Sequence, residues 1–249
     1  MMIICFFLFG ITLGSFFNVV GLRVPKKISF TNDRSHCSSC HKQLSWYELI
    51  PVFSFILQRG KCRNCQQKIS LIYPMIELLT GLLFVLSYLM IGIEWELITA
   101  LLLISMLMII FVSDMTYMLI PNKVLLFFLP LFIIIRAIQP LEPWWSSITG
   151  GVVAFVLIAL IILVSRGGMG AGDMKLFGLL GIILGLGKVL LTFFLASLFG
   201  AIFGIILLLC KIIERKQPIP FGPYIIVATI ISYFFGDLMM EWYFMFIYF

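Results

Sequence analysis

The sequence predicts an all-α protein: a polytopic membrane helix bundle of about eight spans carrying one small cytoplasmic zinc-knuckle loop domain. Three observations lead there. The 249-residue chain is 62% hydrophobic and only 11% charged, with a mean hydropathy of +1.16; soluble domains average about 45–50% and about 25%. Apolar runs recur along most of the chain at lengths near the roughly 20 residues that a helix needs to cross a bilayer. One polar stretch, 23–70, carries four cysteines in two close pairs. A chain this apolar is not an ordinary cytosolic enzyme, a disordered tail or a nucleic-acid-binding arm.

The first span, 1–22, has no charge ahead of its apolar run, and Arg23, Lys26 and Lys27 follow it. That pattern anchors the helix with its N-terminus outside instead of marking a cleaved signal peptide. The polar domain 23–70 comes next, and the bundle 71–249 follows, with apolar runs at 71–93, 97–113, 124–138, 148–165, 176–187, 189–210 and 221–236. With that order, all of the 17 Lys and Arg except Arg136 and Lys188 fall on one side. Glu94, Glu96, Glu142, Asp237 and Glu241 collect on the other. The positive-inside rule makes the basic side cytoplasmic, so the chain is expected in the bacterial cytoplasmic (inner) membrane as a multi-pass protein. The net charge of +6 is therefore a topology signal with some attraction to anionic lipid headgroups. It implies no nucleic-acid partner.

The polar domain contains Cys37-Ser-Ser-Cys40, 21 intervening residues, and Cys62-Arg-Asn-Cys65. Paired C-x2-C units at this separation have the spacing of a four-thiolate zinc site. Each pair makes a tight turn that aims two sulfurs at one metal. Two disulfides are the competing reading, and the reducing cytoplasmic face weighs against it. His36 and His41 flank the first pair as substitute ligands. A loop this short buries little core, so metal would supply its stability. Cys5 and Cys210, inside apolar runs, read as small buried hydrophobes.

Acidic groups in or beside membrane spans are costly and each needs a reason. Asp114 closes the third run ahead of Ile120-Pro121-Asn122, and Asp173 opens the sixth within Gly168-Met-Gly170-Ala-Gly172-Asp173-Met-Lys175. Both fall at the cytoplasmic surface by the topology above. Asp173 has an ordinary structural explanation as a helix cap. Asp114 does not, because a carboxylate at a helix C-terminus opposes the macrodipole. Two carboxylates in one partly dry site share a proton, one ionised and one neutral. Such a pair can activate water and protonate a leaving amine, which is aspartyl peptide hydrolysis. The dipoles make Asp173 the base and leave the shared proton on Asp114. Lys175, two positions beyond Asp173, faces away from it on a helix. Both histidines lie in the cysteine loop, so a Ser-His or Cys-His nucleophile lacks material, and no H-E-x-x-H is present. Glu77, in the second run, either lines a cavity or hydrogen-bonds within the bundle, and the structural role is favoured. A multi-span transporter that couples protons or ions through the aspartates is the alternative, although such sites favour the bilayer midplane. A zinc-knuckle scaffold without activity is a third reading that leaves the aspartates unexplained.

These residues together resemble the type IV prepilin peptidases, bifunctional leader peptidases and N-methyltransferases of pilus, type II secretion and competence systems. The resemblance rests on Gly14-Ser15-Phe-Phe-Asn18-Val-Val-Gly-Leu-Arg23-Val-Pro25, the two C-x2-C pairs and Tyr73-Pro74-Met-Ile-Glu77. It extends to Asp114 before Ile120-Pro121-Asn122, Gly170-Ala-Gly172-Asp173-Met-Lys175, and Pro220-Phe221-Gly222-Pro223. The Gly-x-Gly-Asp element is that of a class of intramembrane aspartyl proteases. The resemblance implies a bundle over 71–249 with Asp114 and Asp173 as its catalytic pair. It implies an active-site loop in which Gly170 and Gly172 allow close backbone approach and unusual dihedrals. It implies type IV prepilin or pseudopilin substrates, cut after a glycine behind a short basic leader, on the cytoplasmic side. S-adenosylmethionine-dependent methylation of the new N-terminus comes by the resemblance alone. An apolar substrate helix lying along the spans, not charge, is expected to provide recognition. The particular system, the client pilin and the oligomeric state are left open.

Overall fold

The structure, a computed structural model, describes residues 1–28, 35–37, 39–165, 169–211 and 220–248, with side chains through Met245. Ser38 and Gly168, named above, and Arg34, Arg166, Arg215 and Lys216, counted among the basic residues of the cytoplasmic side, lie outside the described residues. Among the described residues there is no strand, only the isolated bridges His36–Gln43 and Lys61–Lys68. The helices in chain order are α1 (Met2–Arg23), α2 (Phe53–Leu57), α3 (Ile72–Ile91), α4 (Trp95–Tyr117), α5 (Asn122–Ile138), α6 (Ser146–Val164), α7 (Ala171–Leu209) and α8 (Gly222–Tyr248). A 3-10 turn, Trp46–Leu49, precedes α2. The chain forms two compact units, Met1–Thr116 and Tyr117–Phe249.

Six of these helices, α1, α3, α4, α6, α7 and α8, are long and apolar enough to cross a membrane. α5, at 17 residues with Pro130 inside it, corresponds to the run expected at 124–138. The sixth and seventh runs are the two limbs of α7. Gly185 interrupts that helix at φ 79°, ψ 175°, a conformation that residues with a Cβ rarely adopt. In a straight helix, Phe177 and Phe193 would stand about 24 Å apart at 1.5 Å per residue. Their ring centroids lie 5.8 Å apart, so the chain folds back at Gly185. The eight expected apolar segments are thus all present as helix. α8 runs well past its expected end at 236, because Asp237 and Glu241 break the hydropathy of the run without breaking the helix. α4 likewise continues through Asp114 to Tyr117.

In the first unit α1 packs on α3 through small residues. A Cβ on Gly10 would stand 2.7 Å from the Gly81 Cα, and one on Gly14 2.9 Å from the Glu77 Cα. Phe6 stacks on Tyr88 and Phe9 tilts against Phe84. Further along α1, Gly21 fits against Val112 of α4 in the same manner. Without an aqueous drive between helices in lipid, such close backbone approach is what holds spans together.

The second unit repeats the device. Gly150 and Gly151 of α6 meet Gly178 and Gly181 on the first limb of α7; a Cβ on Gly181 would overlap the Gly150 carbonyl group. The second limb pairs with α8 in antiparallel fashion. Gly200 meets Phe221 and Tyr224 near the start of α8, Gly187 meets Met240 further along it, and Lys188 pairs with Asp237 at 2.7 Å. Cys5 and Cys210 differ from expectation. Both are exposed on the helix surface, where an apolar residue has lipid to contact and needs no packing partner.

Candidate active site and metal centre

The four cysteines of the first unit converge. The Sγ atoms of Cys37, Cys40, Cys62 and Cys65 all lie within 4.8 Å of one another, and Cys37 and Cys65 are 3.8 Å apart. A tetrahedron with Zn–S bonds of 2.3 Å has sulfurs about 3.8 Å apart; the Cys37–Cys65 pair has that separation, and the four donors together are close enough to hold one metal ion. Two copies of one backbone motif produce it. Cys37 N–H donates to Lys42 C=O and His41 N–H to Cys37 C=O; Cys62 N–H donates to Gln67 C=O and Gln66 N–H to Cys62 C=O. His41 (φ 54°) and Gln66 (φ 59°) take the same left-handed position in each turn. His41 is therefore a turn residue of the knuckle.

The thiols are electrostatically unequal. The Lys42 N–H, with help from the Asn64 side chain, lowers Cys40 to about 6. The N–H groups of Cys65 and Asn64 lower Cys62 as well. Cys65 accepts the Gln67 N–H, but burial and the neighbouring sulfurs push it up to about 11. Backbone N–H groups aimed at sulfur stabilise thiolate, the form that binds metal.

Glu77 has a structural role. Its Oε2 accepts the Val52 N–H at 2.7 Å, and Ser15 of α1 hydrogen-bonds the same carboxylate. One side chain thereby ties α1, α3 and the cysteine loop together. Asn18 adds a second tie, donating Nδ2 to the Tyr73 carbonyl at 3.1 Å.

Asp114 occupies the last turn of α4, the final helix of the first unit, and is 6% exposed. Asp173 occupies the first turn of α7 in the second unit and is 9% exposed. The Gly170 N–H donates to Asp173 Oδ2 at 3.1 Å. A carboxylate there faces the unsatisfied N–H groups of a helix start, which favour the anion. Gly170 itself has an ordinary extended backbone, φ −76° and ψ 144°, so unusual dihedrals are not what glycine provides at this position. Space is. A Cβ on Gly170 would crowd Asp173 Oδ2 at 3.2 Å, and one on Gly172 would press on Ile120 at 3.0 Å. Lys175 is directed to Asn122, Nζ to Oδ1 at 3.0 Å.

Beside that helix start, an apolar cavity of about 1040 Å³ runs between α5, α6 and the first limb of α7. Asn122 and Lys175 line one end and Arg136 the other, with Leu126, Ile133 and Phe155 between. Arg136 is a buried residue whose importance was not legible in the sequence. Its Nε and Nη2 both donate to the Ile183 carbonyl, at 3.0 and 2.8 Å. In an unbroken helix that carbonyl would accept the Gly187 N–H; the reversal at Gly185 removes this partner. A charged residue within an apolar run is the signal the sequence offers for it.

Residues 8–91 match the model of the bacterial peptidase A24 N-terminal domain, and residues 101–205 match that of the type IV leader peptidase family. Among curated proteins, the chain is 40% identical to the prepilin leader peptidase/N-methyltransferase of Bacillus subtilis (strain 168) over 95% of this chain and 96% of that one. It is 33% identical to the protein of that name from Aeromonas salmonicida (strain A449), over 95% and 92%, and 32% identical to that from Vibrio cholerae serotype O1, over 95% and 98%. No solved structure matches. With both family models matched in order and relatives of this identity aligned almost end to end, the chain belongs to the type IV leader peptidase family.

Proposed function

We propose that this protein cleaves the short basic leader from type IV prepilins or pseudopilins, after a glycine and at the cytoplasmic membrane face, and methylates the newly exposed N-terminus. The observation that carries the reading is a pair of buried carboxylates at helix ends, Asp114 and Asp173, in a chain 40% identical to a prepilin leader peptidase/N-methyltransferase. Family membership disfavours the ion-coupling transporter.

In the proposed mechanism Asp173 is the base. Its position at a helix N-terminus and the Gly170 N–H on Oδ2 favour the anion, which takes a proton from water as oxygen bonds to the scissile carbonyl carbon. Asp114, against the dipole at a helix C-terminus, carries the shared proton. It hydrogen-bonds the carbonyl oxygen and then protonates the amine as the C–N bond breaks. Gly170 and Gly172 leave room for the Asp173 carboxylate and for Ile120, and in this reading they allow the substrate backbone to approach closely beside them. The apolar cavity that begins at Asn122 and Lys175, two residues beyond Asp173, suits the hydrophobic segment of such a substrate. Methyl transfer would draw on S-adenosylmethionine, to which no residue of this chain is assigned. Zinc is the proposed occupant of Cys37, Cys40, Cys62 and Cys65, as a structural ion that closes the loop. The proposed orientation puts the N-terminus outside and the cysteine loop in the cytoplasm.

The test is co-expression with a prepilin, scored by mass spectrometry of its N-terminus. Asp114→Asn and Asp173→Asn should each lower cleavage by at least the 10²–10⁴-fold, roughly, that acid–base groups contribute, with the protein still inserted. Cleavage that survives both changes would refute the two-aspartate mechanism. Cleavage without methylation in the unaltered protein would remove the second activity alone.

A further inference from the structure

The cysteine domain carries an apolar surface that the zinc site does not explain. Phe53, Ile56 and Leu57 of α2 are all exposed, and their i, i+3, i+4 spacing puts them on one helix face. Trp46 and Ile50, just before α2, are exposed as well, Trp46 by 78% and Leu57 by 74%. In a polar domain standing in water, a contiguous apolar face of this kind would be left without a partner.

Its depth identifies the partner. The loop leaves α1 at Arg23 and re-enters at Ile72, so it starts and ends at one membrane surface. Val52, between the 3-10 turn and α2, donates its N–H to Glu77 at 2.7 Å. Glu77 lies five residues into α3, about 7.5 Å below the start of that helix at 1.5 Å per residue. The apolar segment is therefore pinned level with the loop-side end of the α3 span, not held out in solvent. Val52 takes φ 62° to reach that bond, a strained conformation for a β-branched residue, and the Glu77 carboxylate holds it there.

The charge pattern agrees. Arg59, Lys61, Arg63 and Lys68 are exposed around the same domain, and Arg63 lies 5.2 Å over the Tyr47 ring. Glu48, the one acidic residue of 39–70, is buried and turned inward to the Ser45 N–H. Exposed aromatic, aliphatic and basic side chains gathered in one short domain are what a segment lying in the headgroup region presents.

We propose that residues 46–57 form an interfacial membrane anchor: the apolar face of α2, with Trp46, inserts among the lipid headgroups and upper acyl chains, and the basic side chains engage anionic phosphates. The cysteine domain then lies on the bilayer surface, held there by its own α2 face as well as by Glu77.

The test uses the full-length protein in nanodiscs of phosphatidylcholine and phosphatidylglycerol. The Trp46 fluorescence is isolated as the difference between the unaltered protein and Trp46→Phe. Lipids brominated high on the acyl chain should quench most of that component, and aqueous iodide little of it. Iodide quenching without bromine quenching would put the segment in water and overturn the proposal. Shielding from both quenchers would put protein on this face and overturn it equally. Leu57→Glu changes a side chain three-quarters free of packing; it should shift Trp46 from bromine toward iodide quenching. Unaltered bromine quenching in that variant would show that the α2 face does not hold the segment in the membrane.

Discussion

The cysteine loop and the α6–α7 pairing solve the same problem, fixing a backbone in place, with opposite means. Among its described residues the loop has almost no buried core: of Cys37, Cys40, Cys62 and Cys65, only Cys62 is buried. Two repeated backbone turns aim sulfurs at one point, and side-chain chemistry does the rest. The centre of the α6–α7 contact is backbone against backbone: Gly150, Gly151, Gly178 and Gly181 let main chain approach main chain. The comparison teaches where each region is vulnerable. Deleting an atom breaks the first, and adding one breaks the second.

The largest expected effect follows from the first half of that contrast. Structural zinc contributes about 10–16 kcal/mol to folding in small zinc domains. Replacing Cys37 and Cys62 together by Ser should therefore abolish bound metal and remove hydrogen-exchange protection from 39–70. Protection in α6 and α7 should be unchanged, and prepilin cleavage should continue at a reduced rate. Metal analysis and exchange mass spectrometry check this; protection retained in the metal-free loop would mean that its backbone turns suffice.

The second half predicts the reverse asymmetry. Gly181→Ala adds one carbon into the Gly150 main chain and should cost about 1–3 kcal/mol, the usual penalty for overpacking, read as a lower thermal midpoint in detergent. Gly204→Ala, in the second limb of the same helix, has open space around its Cβ position and should be neutral or slightly stabilising. Equal midpoints for the two variants would remove close backbone packing as the basis of the α6–α7 contact.

Much of this was legible in sequence, and what was not has physical reasons. Hydropathy located every long helix, because a helix that crosses lipid needs a sustained apolar run of about 20 residues. The tetracysteine cluster followed from spacing, since a chelate's geometry is local to its turns. Helix ends were read less well. Hydropathy falls off at Asp114 and Asp237, but the backbone does not register polarity, so α4 and α8 run on past those residues. The structural role favoured for Glu77 holds, but its partners, like those of Arg136, were out of reach for another reason. Each serves a backbone group far off in sequence, the Ile183 carbonyl and the Val52 N–H, and those needs exist only once Gly185 has reversed the chain and Val52 has turned left-handed. The catalytic assignment stood on residue type and helix-end position, and its glycine rationale had to change. The Gly-x-Gly element supplies room at Asp173 and Ile120, not special torsions.

Arg136 tests how far the reversal in α7 depends on a side chain. Replacement by Met keeps most of the apolar volume and removes both donors to the Ile183 carbonyl. A buried acceptor left without a partner costs about 1–3 kcal/mol. A lower thermal midpoint is expected, together with faster hydrogen exchange at the end of the first limb of α7. An unchanged midpoint would mean that the turn closes by glycine and packing alone.

The smallest expected effect lies on the other side of the same turn. Leu186, the first residue after Gly185, would in a continuous helix donate its N–H to Ile182; here it donates to Ser146 Oγ at 3.1 Å. Ser146 is thus the N-terminal residue of α6 and, from outside, the cap of the second limb of α7. Ser146→Ala removes that acceptor and should cost about 1 kcal/mol, as for a lost cap. The hydroxyl also sits close to where a Cβ on Gly185 would lie, 2.6 Å away. A Gly185→Ala change therefore meets a steric penalty from Ser146 on top of the strain of its positive φ. In the double variant Ser146→Ala, Gly185→Ala the steric part is relieved while the torsional part persists. The coupling between the two substitutions, from a double-mutant cycle on thermal midpoints, should be favourable and smaller than the cost of Gly185→Ala alone. Strict additivity would mean that the torsion by itself accounts for glycine at the point where α7 turns back.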